Sequence, residues 1–263
     1  MLLANKNAVI YGGGGGLGGG VARTFAREGA RVFLVGRTRQ PLEAVAADVT
    51  AAGGSAEVAV VDVLDEQAVG EHAAAVVAQA GGIDVSVNLV TRGDVQGTPL
   101  VDMAADDLTR AVTTGLLANF HTARAAARHM IRQGSGVILT VTSGSARGAA
   151  PLMGSTGPAD AATEAFLRYL AAETGQHGVR VVGIYTAGVP ETLSPENIAK
   201  VNPNMQLDAA ALEQMLAGMA QMTMLRRAPS LAQVADTAAF LASDRAGAIT
   251  GTIVNVTCGL VAG

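Results

Sequence analysis

Eight glycines and a leucine stand between a short apolar run and a helical pattern: AVIYGGGGGLGGG (8–20), then VARTFAREGA. A strand, a glycine turn and a helix start suit the binding of a pyrophosphate. Glycine lets the chain turn at positive φ and brings backbone close to the ligand. The helix adds free N–H groups and the positive end of its dipole. A run this rich in glycine fits G-x-G-x-x-G in two registers, so its flanks must decide. Other residues able to do chemistry follow further apolar runs: Asp62, Asn88–Arg92, Thr142–Ser145 and Tyr185–Thr192.

These residues need a scaffold. Apolar runs at Asn7–Tyr11, Arg31–Gly36, Glu57–Val61, Ile83–Val90, Gly136–Thr142, Val179–Tyr185 and Thr252–Val256 read as strands. Helical patterns fall between them: Leu17–Glu28, Leu42–Ala52, Asp65–Ala80, Ala104–Gln133, Ser155/Thr156 to Gln176, and Leu231–Ala242. Uninterrupted apolar strands suit a parallel sheet buried on both faces. Alternation with short connections predicts an α/β, three-layer, doubly wound fold with right-handed crossovers. No linker or repeat divides the chain, so residues 1–263 are expected to form one domain. Such sheets bind ligands at the carboxyl ends of their strands, which would gather the residues named above.

Bulk properties narrow the classes. The chain has 263 residues, 49% hydrophobic and 15% charged, with net charge -4. No basic patch points to nucleic acid or an anionic membrane. No apolar run is long and glycine-free enough for a membrane helix, and the first residues lack the pattern of a secretory leader. Cys258 is the sole cysteine, which suits a reducing cytoplasm. The four histidines do not cluster, so no metal site is expected.

Taken together, these motifs resemble the short-chain dehydrogenase/reductase family over nearly the whole chain. Tyr11–Gly18 resembles T-G-x-x-x-G-I/L-G, and the flank in register makes Gly12, Gly16, Leu17 and Gly18 the nucleotide turn. Asp62-Val63 resembles the pair that holds the adenine, and IDVSVN, ending at Asn88, the N-N-A-G strand. HGVRVVGIYTAGVPET resembles the segment that places Gly188, Val189 and Thr192 beside the nicotinamide or pyrophosphate. GVILTVTS and LASDRAGAITGTIVNVTCG resemble two further family strands. The resemblance implies a seven-stranded, mainly parallel Rossmann sheet and an NAD(P)-dependent oxidoreductase acting on a small molecule. It also implies a homo-oligomer, tetramer or dimer, and a substrate lid at about 188–226. Strand two ends Val35-Gly36-Arg37 with no acid for a ribose 2′-hydroxyl. Arg37 suits a 2′-phosphate, so NADP is preferred to NAD, with Arg39 a second candidate.

The catalytic half departs from the family. Ser143 aligns with its serine, but the Y-x-x-x-K tyrosine and lysine positions hold Thr156 and Asp160. The helical asparagine position falls near Gly115. The lysine charge would lower the tyrosine pKa, whereas a carboxylate raises that of a neighbouring hydroxyl. Thr156 can orient a substrate, and Asp160 can accept from ribose hydroxyls. Equally, Thr156, Pro158 and Asp160 make an ordinary helix start. Methionines at 205, 215, 219, 222 and 224 fit an apolar substrate or plain helix packing. Three readings stay open: an oxidoreductase with a changed proton relay, a nucleotide-binding protein without catalysis, or non-redox chemistry on the scaffold.

Overall fold

A computed structural model describes residues 1–148 and 150–262. The strands are β1 (Asn7–Tyr11), β2 (Arg31–Gly36), β3 (Ser55–Val60), β4 (Val85–Asn88), β5 (Gly136–Ser143), β6 (Val179–Thr186) and β7 (Thr252–Val256). They form one sheet in the order β3-β2-β1-β4-β5-β6-β7. Each pairing is parallel. The helices are α1 (Gly16–Arg27), α2 (Arg39–Ala51), α3 (Glu66–Ala80), α4 (Ala105–Gln133), α5 (Thr156–Thr174), α6 (Pro195–Val201), α7 (Ala209–Met222) and α8 (Leu231–Ala242).

The two-residue strand period divides the core. Ala8 and Ile10 of β1 pack with Val21, Phe25 and Ala238 on the side of α1, α2 and α8. Val9 and Tyr11 pack with Val76, Ala123 and Leu167 on the side of α3, α4 and α5. Alternate residues thus serve opposite layers, which explains why the strands read as unbroken apolar runs. Strand order reverses beside β1, and sheets of this kind bind ligands at the strand carboxyl ends there.

Local signals set several element ends. Asp65 caps α3 by accepting from the Ala68 amide, and Gly81 closes it at φ 86°. Ser230 and Gln233 form a capping box on α8. By contrast, Gly15 caps α1 with no side-chain hydrogen bond, leaving that N-terminus for another acceptor. The segment at 193–224 resolves into α6 and α7, whose caps are Ser194 and Asp208. β4 is shorter than the run Ile83–Val90, although Ile83 is buried and Val90 packs against the core.

Candidate active site

The glycine turn is held by its own backbone. The Gly12 and Gly13 amides donate to Val35 O at 2.8 and 3.1 Å, and the Gly15 amide to Gly12 O at 3.0 Å. Gly12 has φ +81°, and a Cβ there would lie 2.6 Å from Leu89 O. A Cβ on Gly18 would lie 2.0 Å from Gly12 O. Both positions therefore exclude side chains, and α1 begins immediately beside them. Leu17 is half-buried in its first turn. Across the crevice, the Thr192 methyl lies 3.1 Å from where a Gly16 Cβ would stand, so the structure brings Gly16 and Thr192 together. Thr192 Oγ1 donates to Val189 O at 2.9 Å, and Val189 is buried. Gly188 lies under Met219 and Leu193.

The remaining nucleotide candidates ring the same sheet edge. Arg37 is exposed after β2, while Arg39 pairs with Glu43 at 3.5 Å. Asp62 is exposed and accepts from the Leu64 amide at 3.0 Å. Val63 is buried and its carbonyl meets His121 Nδ1 at 2.9 Å, which gives that histidine a packing role. Asn88 is buried between the Val90 amide and Thr122 Oγ1.

Ser143, Thr156 and Asp160 are joined through residues that no family motif singled out. Asp160 is 0% exposed. Its Oδ2 accepts from the Ser143 amide at 3.0 Å and from Ser143 Oγ at 2.5 Å. Its Oδ1 accepts from Arg92 Nη1 at 2.5 Å. Arg92, on the β4–α4 connection, also holds Asp94 through Nε at 2.7 Å and Nη2 at 3.0 Å. Thr156 Oγ1 donates to Asp94 Oδ2 at 3.2 Å and accepts from Gln96 Nε2 at 3.0 Å. Burial alone would lower the Arg92 pKa. The hydrogen bonds and charges of Asp94 and Asp160 outweigh it and raise that pKa above the ordinary value.

Gly115 explains how Arg92 fits. A Cβ there would lie 2.8 Å from Arg92 Cδ, so the missing side chain is the space the arginine occupies. The acid at 160, the glycine at 115 and the arginine entering from a loop thus form one arrangement. Asn119, one turn along α4, instead accepts from Thr140 Oγ1 at 2.7 Å. The sequence reaches Arg92 only as the end of the Asn88–Arg92 stretch, with no role for it, and gives no signal for Asp94 and Gln96, which sit in a connection without periodicity. The available signal was an acid where a buried cation was expected, with an arginine in the Asn88–Arg92 stretch.

Two further segments hold the connection that carries Arg92. The Gln96 amide donates to Val201 O at 2.7 Å, and the Gly97 amide to Leu152 O at 2.8 Å. Val95 and Ser155 exchange hydrogen bonds: the Val95 amide donates to Ser155 Oγ and the Ser155 amide to Val95 O. The connection carrying Arg92 is thereby tied to α6 and to the start of α5. Residues of α7 are not buried, and Met222 and Met224 are exposed. Among the described residues no cluster of metal-ligating side chains occurs, and no helix is long and apolar enough to cross a membrane.

One turn beyond Asp160, Glu164 is buried, and its Oε1 has no partner among the described residues. Arg147 and Arg168 approach only to 3.6 and 3.7 Å. Burial raises its pKa, against the pull of both arginines. A carboxyl with a raised folded pKa holds its proton longer folded than unfolded. Its cost is therefore absent below the unfolded pKa and grows as pH rises through the folded value. Glu164→Gln is expected to stabilise the fold by about 1 kcal/mol at pH 8 and to change little at pH 4, read by urea denaturation at both pH values.

Comparison with known proteins agrees with this geometry. The family model described as enoyl-(acyl carrier protein) reductase matches residues 13–261. The short-chain reductase protein NovJ of Streptomyces niveus is 32% identical over 95% of this chain and 91% of its own. The 7alpha-hydroxysteroid dehydrogenase of Escherichia coli K12 is 30% identical over 98% of this chain and 95% of its own. Among solved structures, NAD+-bound xylitol dehydrogenase superposes with TM-score 0.86 at 26% identity, covering 98% of this chain and all of that one. A 7α-hydroxysteroid dehydrogenase complexed with NADH and 7-oxo glycochenodeoxycholic acid superposes with TM-score 0.81 at 28% identity, covering 98% of this chain and 94% of that one. With the glycine turn, the strand order and these matches in agreement, the chain belongs to the short-chain dehydrogenase/reductase family.

Proposed function

We propose that the protein is an oxidoreductase that binds a nicotinamide nucleotide across the carboxyl edge of β1, with NADP(H) preferred to NAD(H). The observation that carries this reading is the cradle of Gly12 and Gly18, closed to side chains and set against an α1 N-terminus with no side-chain cap. Gly12, Gly16, Leu17 and Gly18 would take the pyrophosphate, Asp62 and Val63 the adenine, and Arg37 a 2′-phosphate. Asn88, Gly188, Val189 and Thr192 would line the nicotinamide end. The NAD+ and NADH in the two related structures support a nicotinamide ligand. When bound, that group supplies hydride chemistry. The chain's own part is to hold a small-molecule substrate beneath the segment 188–226 and to manage a proton at Ser143 and Asp160. We further place the protein in the cytoplasm as a homo-oligomer.

A second reading, nucleotide binding without turnover, has its own observation. The hydroxyl protons of Ser143 and Thr156 are both directed to carboxylates, leaving neither to protonate a substrate oxygen. Titration with NADPH and NADH, then a screen of alcohols and carbonyls for nucleotide-dependent absorbance change, separates the two. Absence of binding by either nucleotide overturns both. For Arg37, the expected result is that Arg37→Ala weakens NADPH about tenfold and NADH by less than about twofold, since a charged hydrogen bond contributes on the order of 1.5–3 kcal/mol. Equal losses for the two nucleotides would remove Arg37 from the phosphate site.

A further inference from the structure

The hydrogen bonds around Ser143 run in one direction. An aspartate paired with a guanidinium has only acceptors to offer, so the 2.5 Å contact requires the Ser143 hydroxyl to donate to Asp160. Ser143 Oγ in turn accepts from the Ser145 amide at 3.2 Å. One lone pair of this oxygen is left over, on a residue that is itself half-buried. Thr156 repeats the pattern with Asp94 as its acceptor, but it is buried. Arg92 holds both carboxylates, and its side chain keeps 15% exposure. Three of its five N–H bonds are spent on the two aspartates. Ser143 and Arg92 grip the same carboxylate and so are near neighbours. One arginine against two aspartates leaves this cluster with a net negative charge.

We propose that the site is built with acceptor polarity at Ser143, and that it recognises a hydroxyl or protonated amine there rather than a carbonyl. The proposal rests on the reading of this cleft as the substrate site. A ligand hydroxyl donates to Ser143 Oγ and accepts from a free Arg92 N–H. A ketone satisfies Arg92 alone and sets its lone pairs against those of Ser143. A protonated amine gains from the negative cluster. Arg92 thus contacts the ligand and also holds Asp160 as the acceptor toward which Ser143 turns.

The test uses ligands of one ring size. Cyclohexanol and cyclohexylamine are titrated into protein saturated with NADPH, and cyclohexanone into protein saturated with NADP+, so that no combination turns over. The same titrations are run without nucleotide. Calorimetry is expected to show the alcohol and amine binding about fivefold or more tighter than the ketone, the effect of roughly one hydrogen bond. In Asp160→Asn the Ser143 proton is released, and the ratio is expected to fall to within about twofold. Should that variant not fold, Ser143→Ala removes the lone pair and must also collapse the ratio. A ketone that binds as tightly as the alcohol overturns the proposal, as does the absence of saturable binding by any of the three. Failure of NADPH and NADP+ to bind overturns the nucleotide reading instead, and the preference is then judged from the nucleotide-free titrations.

Discussion

Arg92→Met is expected to destabilise the protein by about 3–5 kcal/mol, the scale for stripping one partner from a buried ion pair. The reason is asymmetric burial. Asp94 is 16% exposed and can be rehydrated, but Asp160 is wholly inside. Without the guanidinium it keeps only the Ser143 amide and hydroxyl. The Arg92→Met, Asp160→Leu double variant is expected to recover most of the loss, because apolar groups often replace a buried pair without penalty. Arg92 stays charged throughout, since its pKa is raised above the ordinary arginine value. Its contribution should therefore be flat between pH 6 and 9. Urea denaturation of the single and double variants decides the matter. A single-variant loss below about 1 kcal/mol would show that this network does not hold the β4–α4 connection.

Gly18→Ala has the largest effect expected on nucleotide binding. The added methyl would stand 2.0 Å from Gly12 O and 2.8 Å from Gly12 C, both backbone atoms that no rotamer change can move. Opening the turn would also disturb Gly12, a position with no room for a Cβ beside Leu89 O. A stability loss of about 1–3 kcal/mol is expected, with NADPH weakened at least about tenfold in fluorescence titration. Gly15→Ala is the matched control. Its Cβ would lie 3.3 Å from Gly12 O, so the expected loss in affinity is under about threefold. If both variants bind as the parent does, the pyrophosphate does not sit on this turn.

Much of the scaffold was legible because burial and element type coincide. β1, β2, β7 and α8 fall on the residues that periodicity assigns, each bounded by a glycine or a polar residue. The glycine cradle was legible for a similar reason, since only one register sets α1 against it. β4 shows where pattern fails. Ile83 is apolar to fill the core under α3 and α4, not to extend the ladder. α6 and α7 show signals that were present but unread, Ser194 before Pro195 and Asp208 before an alanine run. The polar cluster was least legible. Arg92 and Asp160 are 68 positions apart, and Ser143 and Asp160 are 17 apart. No local period links such residues, because the sheet and not the sequence spacing brings them together.

The space that Arg92 takes beside Gly115 also constrains how this chain can change. Asp160→Lys alone would set a second cation against the arginine, inside the protein and beside a carboxylate already in use. Any side chain at position 115 would press on Arg92 Cδ. Positions 92, 115 and 160 are therefore coupled. A route that places a lysine at 160 and an asparagine at 115 must remove the arginine first, and so must cross a form in which Asp160 is buried without its cation. Single substitutions sampled one at a time would score each of these sites as intolerant, although a joint replacement need not be.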